Sequence, residues 1–379
     1  MSRPAVARAP VGPVPAGAGA PWAEVLRSLP RAVFLPDLIW PYHPDGTGPV
    51  AAVRRADEPE RWWAAADADV PVVTQWDDGV HAGASPGRVP TSSASAPSLV
   101  AAMLAALDAE PGMRVLEVGT GTGWNAALLA HRLGAGHVTS VEVDERVAAR
   151  ARRALRRTGL GVRVVTGDGL LGAPGRGPFD RVVATCGIRS VPPAWLAQVR
   201  PGGVILAPWG TPYSSLDALV RLTVRADGTA DGRFLALVEF MKARAQRSAL
   251  PDYPRDLPVT DTTTAAWPPP GPWHPFPFLA GLRMQRAAHA VETHPDGHTQ
   301  WLYDLAGDGW TAVVRRNATG PGAVVRRAGR RRLWDELLAV HDWWRAAGRP
   351  GVERFGLTVA RDGMATAWLD APGHGLAPG

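Results

Sequence analysis

Read for its apolar positions alone, the chain changes character several times. The first 21 residues, MSRPAVARAPVGPVPAGAGAP, carry no periodic apolar stripe, and their Pro, Ala and Gly predict a disordered tail. WAEVLRSLPRAVFLPD (22–37) begins as a short amphipathic helix and stops at a proline. Residues 40–90 are crowded with Pro, Gly and Asp, which predicts a loop-rich cap with one strand, VPVVTQW (70–76). TSSASAP (91–97) shows no apolar period at all. APSLVAAMLAALDAEPGM (96–113) then predicts a helix: Pro97 suits the first turn, and Leu99, Met103, Ala106 and Leu107 share one face.

From residue 114 the period shortens. RVLEVG (114–119), HVTSVEV (137–143), VRVVTGD (162–168), FDRVVATC (179–186) and GGVILAPWG (202–210) are short runs rich in β-branched residues. Helical patterns lie between them, at NAALLAHRLG (125–134) and DERVAARARRALRRTG (144–159), the latter with Asp144 and Gly159 as capping candidates. Nearly continuous apolar strands alternating with helices predict a parallel sheet covered on both faces. ALVRLTVRA (218–226) and FLALVEFM (234–241), joined by DGTADG, predict an antiparallel hairpin at the sheet edge. Residues 250–280 are dense in proline and read as a linker or extended wrap. Beyond them come strand-like HTQWLYDL and GWTAVVRR, a helix RLWDELLAVHDWWRAAG (332–348) with Leu333, Leu337, Val340 and Trp344 on one face, and RFGLTVARDGMATAWLD. The expected organisation is a tail (1–21), a cap (22–95), an α/β domain (96–249), a linker (250–280) and a small α+β extension (281–379).

Composition narrows the classes. With 379 residues, 46% hydrophobic and 20% charged, most of the chain should be globular. The net charge of +6 sits almost wholly on arginine, clustered in RARRALRR (150–157) and VRRAGRRRLW (325–334). No aromatic-interleaved motif accompanies those runs, so nucleic acid is not expected as a partner. The single cysteine, Cys186, precludes a disulfide within the chain and points to a reducing, cytoplasmic compartment; it reads as a small buried hydrophobe. No apolar run is long enough to span a bilayer, the N-terminus lacks a signal-peptide core, and no membrane partner is expected. Most of the 16 tryptophans should be packing residues, Trp334, Trp343 and Trp344 among them.

The chemistry concentrates where a strand runs into a helix through VLEVGTGTGWN. Gly119, Gly121 and Gly123 let the backbone approach a ligand closely, whereas the position where a dinucleotide loop would place its third glycine is Trp124. This G-x-G-x-G spacing fits an S-adenosyl-L-methionine loop better than a pyrophosphate loop. Glu117, Gly119, Thr120, Gly121, Gly123 and Trp124 are therefore candidate donor-binding residues, with Trp124 placed to shield the methionine end. Glu142 ends the next strand, where a carboxylate can accept both ribose hydroxyls. Asp168 and Gly169 end the third strand, where an adenine would be met. His131 and His137 read as helix surface and strand start, and no metal-ligand spacing appears. The missing base and metal point towards an acceptor already ionised at neutral pH, a carboxylate.

TSSASAPSLVAAML, GTGTGWNAALLA and PPAWLAQVRPGG together resemble the protein-L-isoaspartate O-methyltransferase family, from PRAVFLPD (30–37) to FLALVEFM (234–241), about half the chain. The resemblance implies a class I S-adenosyl-L-methionine-dependent methyltransferase, Rossmann-like, with a seven-stranded, mostly parallel sheet, the small α+β extension lying beyond it. It also implies a peptide or protein acceptor carrying an Asp or isoAsp carboxylate. TSSASAP stands where the family shows a shorter Thr/Ser-x-Ser-x-Pro segment, so Ser95, with Thr91 and Ser93 before it, is implied to hold that carboxylate. Upstream, VTQWDDG (73–79) adds two acids close to the site. The stretch from RRLWDELLAVHDWWRAAG to AWLD resembles methyltransferases of ribosomal-peptide clusters (ATP-grasp, lanthipeptide and lasso-peptide systems). In those, a normal Asp is methylated and then closes to a succinimide (aspartimide). The expected function is therefore carboxyl methylation in peptide maturation. Isoaspartyl repair is one alternative, and a non-catalytic donor-binding scaffold is the alternative of another class.

Overall fold

The computed structural model describes residues 20–43, 48–248, 252, 254, 256–264, 273–307, 309–316 and 322–376. The expected tail falls outside them except for the start of α1 (Ala20–Ser28). Then follow β1 (Leu38–Pro41), β2 (Val53–Arg54), α2 (Pro59–Asp67), β3 (Val72–Trp76) and β4 (Pro90–Ala94). These four strands form one antiparallel sheet, ordered β2-β1-β3-β4, so the cap holds a sheet rather than loops around one strand. Short strands broken by Pro and Gly concealed it.

TSSASAP supplies most of β4. Ser92, Ala94 and Ala96 are buried while Thr91, Ser93 and Ser95 are half-buried on the opposite face. The two-residue period of a strand is present, but it is written in small residues that carry little hydrophobic signal.

The central layer comprises α3 (Pro97–Leu107), β5 (Val115–Val118), α4 (Trp124–Leu133), β6 (Val138–Glu142), α5 (Glu145–Thr158), β7 (Arg163–Thr166), β8 (Phe179–Ala184), α6 (Pro193–Gln198), β9 (Val199–Trp209), β10 (Asp217–Val224) and β11 (Ala230–Val238). Helix α3 stops at Leu107, short of the expected 113, because Asp108 turns left-handed at φ 53° and caps it. Helix α5 is capped as expected: Asp144 Oδ1 accepts from the Val147 N–H at 3.0 Å, and Gly159 takes φ 69°.

After them come β12 (Val259–Thr263), α7 (Phe276–Arg283), β13 (Ala287–His294), β14 (Gly297–Asp304), β15 (Trp310–Arg316), β16 (Ala323–Ala328), α8 (Leu333–Ala346), β17 (Phe355–Val359) and β18 (Ala365–Leu369). Strands β12 to β16 make an antiparallel sheet of order β12-β16-β15-β14-β13. Strands β17 and β18 join the central sheet instead, giving β18-β17-β11-β10-β9-β8-β5-β6-β7, parallel from β9 to β7 and antiparallel beyond. The class is the expected mixed α/β sheet, its seven strands β5 to β11 extended by two. The β10–β11 hairpin is consequently interior and not an edge, and its unpaired backbone is covered by β17. Backbones approach so closely there that a Cβ on Gly356 would lie 2.3 Å from the Gly232 carbonyl oxygen.

Part of the expected linker (250–251, 253, 255 and 265–272) lies outside the described residues. The rest carries β12 and the start of α7, where every residue from Phe276 to Leu282 is buried and Pro277 sits harmlessly in the first turn. Phe278 meets Phe234 at 5.0 Å and Trp209 at 6.4 Å between ring centroids. Leu302, Val313, Leu333 and Leu337 continue the same core. The described residues between 281 and 376 thus contribute to the same core as the central sheet. Among the described residues no helix is long and apolar enough to cross a membrane.

Candidate functional site

In the parallel half of the sheet, chain order reverses between β5 and β8, which opens a crevice at the carboxyl ends of the strands. A cavity of about 410 Å³ lies there, within the range of small-molecule sites. Six stretches wall it: the glycine loop with Trp124 and Asn125, the ends of β6 and β7, the hydroxyl segment 91–95, Val100 and Met103 of α3, Thr185 and Cys186 after β8, and Phe240 to Ala245 with Arg247 beyond β11.

The loop needs its glycines for different reasons. Gly119 sits at φ 96°, and a Cβ there would lie 2.7 Å from Thr185 Oγ1. Gly121 comes within 3.4 Å, by the same measure, of the Ser93 carbonyl oxygen, so the loop brushes the hydroxyl strand. Gly123 faces Ala151 and Leu155 of α5 and does not line the cavity. Its small size lets α4 pack on α5.

Glu117 is fully buried beneath the loop and does not line the cavity either. One oxygen accepts from Asn125 Nδ2 at 2.7 Å. The other accepts from Ser140 Oγ, which also meets Thr120 Oγ1 at 2.5 Å. Burial pushes the Glu117 pKa up to about 7. The structure therefore makes this carboxyl a brace for the loop.

The remaining expected donor residues do converge on the cavity. Glu142 is 9% exposed; Oε2 accepts from the Gly121 N–H at 2.9 Å and Oε1 from the Asp144 N–H at 3.1 Å. Burial raises its pKa against the pull of these two N–H groups. Asp168 Oδ1 accepts from the Leu170 N–H at 2.9 Å. The Gly169 carbonyl accepts from Trp195 Nε1 at 2.8 Å, and a Cβ on Gly169 would strike Val118 at 2.5 Å. Trp124 lines the cavity with its Nε1 pinned to the Leu29 carbonyl at 2.9 Å. Cys186 also lines it, and burial, followed by Glu142, pushes the thiol pKa up to about 12, so it stays protonated at neutral pH.

On the opposite wall, Thr91 Oγ1 donates to Gln75 Oε1 at 2.9 Å and accepts from the Asp78 N–H at 3.2 Å. Thr91, Ser93 and Ser95 all line the cavity. The Ser95 carbonyl is held by Arg31, whose five N–H groups all reach backbone carbonyls. The two acids of VTQWDDG divide their work. Asp77 accepts from the Arg88 and Val89 N–H groups, which hold its carboxyl below the usual range, and so shapes the loop. Asp78 reaches across to Arg244 and Arg247.

Sequence reasoning missed Arg31, Arg244, Arg247 and Lys242, none of which has a motif spacing. Lys242 Nζ pairs with both oxygens of fully buried Asp217 at 2.7 Å; burial still pushes that carboxyl up to about 6. Arg244 and Arg247 follow β11 in MKARAQR, and only folding shows that this stretch closes the cavity.

The fold is that of the class I S-adenosyl-L-methionine-dependent methyltransferases, whose methyl donor is S-adenosyl-L-methionine. The residues fit that group: a cofactor-sized cavity meets a glycine loop and a buried carboxylate, Glu142, with lone pairs beyond its two backbone donors. Residues 80–248 match the family described as protein-L-isoaspartate(D-aspartate) O-methyltransferase. The protein-L-isoaspartate O-methyltransferase of Anaeromyxobacter dehalogenans is 45% identical over 150 residues, 39% of this chain and 70% of its own length. That of Pyrococcus horikoshii is 42% identical over 136 residues, 36% of this chain, and the match spans only 61% of that relative. A solved structure of a protein-L-isoaspartate O-methyltransferase shares the fold with a TM-score of 0.53 at 22% identity, covering 94% of this chain and 96% of its own. That coverage takes in the C-terminal sheets. With residues 80–248 matching that family and the Anaeromyxobacter relative 45% identical over 70% of its own length, the chain belongs to the protein-L-isoaspartate O-methyltransferase family.

Proposed function

We propose that this chain is a carboxyl O-methyltransferase acting on an aspartyl-type side-chain carboxylate of a peptide or protein. The observation that carries the reading is the wall facing the glycine loop, where Thr91 and Ser93 from β4, Ser95 just after it, and Arg244 and Arg247 border one cavity. Hydroxyl and guanidinium donors suit an anionic acceptor.

In this reading Glu142 accepts from the ribose hydroxyls, Asp168 and Gly169 meet the adenine, and Gly119, Thr120, Gly121 and Trp124 border the methionine moiety. Glu117 and Gly123 act at one remove, by holding the loop's shape. When bound, the donor supplies an electrophilic methyl on a sulfonium. A carboxylate is ionised near neutral pH and needs no general base, so the chain's task is to aim one carboxylate oxygen in line with that methyl. Ser95 holds the other oxygen, while Ser93 and Thr91 set the width of the wall.

For the acceptor we favour Asp in a ribosomally made precursor peptide. The backbone nitrogen of the next residue then attacks the methyl ester, expels methanol and leaves a succinimide. The altered, alanine-bearing β4 segment supports this reading. The C-terminal extension no longer does, because a related fold covers 94% of the chain. That coverage, with the relatives' names, favours the second reading, methylation of isoaspartate in damaged proteins.

The test is incubation with donor and an isoaspartyl peptide and, separately, with the peptide encoded beside the gene. Mass is read for one added methyl, then for loss of methanol. Methylation of the isoaspartyl peptide alone sinks the maturation reading, and methylation of neither sinks both. Donor binding without any turnover leaves a scaffold.

A further inference from the structure

We infer that Arg244 and Arg247 recognise the acceptor's carboxylate, and that Asp78 occupies them as a built-in stand-in until the acceptor arrives. The inference rests on the carboxyl-transfer reading and names the groups that select its substrate.

Both arginines line the cavity. Asp78 does not; it reaches them from the cap, 169 residues before Arg247 in the chain. Arg247 Nη1 lies 3.1 Å from one Asp78 oxygen and 3.0 Å from the other, and Arg244 Nη2 lies 3.0 Å from Oδ1. One carboxylate gripped by two guanidinium groups shows that the pair can hold a side-chain carboxylate. Arg244 also holds donor capacity in reserve: its Nη2 meets Asp144 Oδ2 at 3.3 Å, while its Nε–H is buried with no partner.

The stand-in is held so that it can leave. The three side chains are 30–39% exposed, and ion pairs open to water are weak and exchangeable. Asp77, Asp78 and Gly79 take φ 50°, 52° and 84° in succession, a left-handed turn that side-chain-bearing residues adopt reluctantly. Replacing Asp78 with a substrate carboxylate conserves the count of ion pairs, returns Asp78 to water and lets the turn relax. The Asp78 N–H also donates to Thr91 Oγ1, so that movement is felt on the hydroxyl wall.

The test compares Arg247→Ala, Arg247→Lys and Asp78→Asn with the wild type, using an isoaspartyl hexapeptide together with its Asp and Asn counterparts. S-adenosylhomocysteine affinity serves as the check that each variant is folded. Arg247→Ala should raise acceptor KM about tenfold with kcat nearly unchanged, and Arg247→Lys should recover part of the loss. Asp78→Asn should lower KM about three- to tenfold, because a competing carboxylate is gone. A KM for Asp78→Asn at or above the wild-type value, or one for Arg247→Ala within twofold of it, overturns the inference while leaving carboxyl transfer intact. If the wild type forms no ester on these peptides or on the peptide encoded beside the gene, the proposed function falls, and equilibrium binding decides the inference by itself. The carboxyl peptides should then bind Asp78→Asn more tightly than wild type and the Asn peptide equally, and absence of that contrast overturns it.

Discussion

Arg31 is the side chain from which the hydroxyl wall proposed for the acceptor hangs, and its replacement has a calculable cost. It is 3% exposed, and each of its five N–H groups ends on a backbone carbonyl: Ala66 at 3.0 Å, Val70 at 2.7 Å, Ser95 at 3.0 Å, Ala65 at 2.9 Å and Ala68 at 2.8 Å. Three of these close the carboxyl end of α2, where a cation also meets the helix dipole favourably. Burial drags the guanidinium pKa from 12.5 down to about 10 despite nearby Asp69 and Asp67. That shift opposes folding by about 3 kcal/mol. Five charge-assisted bonds at ~1.5 kcal/mol each return about 7, leaving a net of about 4 kcal/mol. Arg31→Met should therefore lower stability by about 4 kcal/mol and Tm by roughly 5 °C. Arg31→Lys, with three donors, should fall between. Thermal unfolding followed by near-UV circular dichroism reads the first effect. At a temperature where both proteins are folded, acceptor KM should rise while donor affinity holds, because Ser95 is released and the glycine loop keeps its bonds to β6. A stability loss below about 1 kcal/mol, or donor affinity falling in step with acceptor affinity, would refute the reasoning.

Three further outcomes follow from the same geometry. Glu117 is raised to about 7 when folded, so its contribution to stability is complete below the ordinary carboxyl range and is lost as pH rises through 7, by about 3 kcal/mol. Glu117→Gln keeps partners for Asn125 and Ser140 and should flatten the fall in Tm between pH 5 and 8, leaving the slopes from Asp217 and Glu142; an unchanged profile contradicts the assignment. Ser95→Ala should reduce acceptor turnover with donor affinity intact, whereas Glu142→Ala should weaken donor binding about 10- to 100-fold by calorimetry; the reverse pattern would exchange their roles. Gly119→Ala places a Cβ 2.7 Å from Thr185 Oγ1 at φ 96°, and should cost donor affinity more than overall stability, as read by titration and thermal melting.

The half of the cavity proposed for the donor was legible because it is local. Gly119, Gly121, Glu142, Asp168 and Gly169 fall within about fifty residues, each at the end of a strand that its own apolar run announces. Glu117 shows the limit of that legibility: a motif places a carboxylate near a ligand but does not say whether a loop lies between them. The half proposed for the acceptor was less legible, since β4 and the residues after it bury only Ser92, Ala94 and Ala96, residues too small to mark an apolar period. The path of β17 and β18 to the central sheet was hidden for another reason. Alternating strands specify a face but not a partner, and contacts such as Gly232 against Gly356 decide which edge is taken.

The two halves meet at Asp144. Its side chain caps α5 through Val147, accepts from Gln75 Nε2 of the cap at 3.3 Å and meets Arg244 from beyond β11 at the same distance. Its backbone N–H, in turn, is one of the two donors that hold Glu142. The carboxylate assigned to the donor and the arginine assigned to the acceptor are thus joined through one residue. A chain built this way has two reasons to keep the N-cap of α5 acidic: helix termination, which Asn or Ser would serve as well, and charge, which they would not. Only the charge is needed to hold Arg244 against the cap. The donor loop can therefore be recognised from a continuous motif, while the selectivity proposed for the site rests on contacts among Arg31, Asp78, Asp144 and Arg244 that no single stretch of sequence contains.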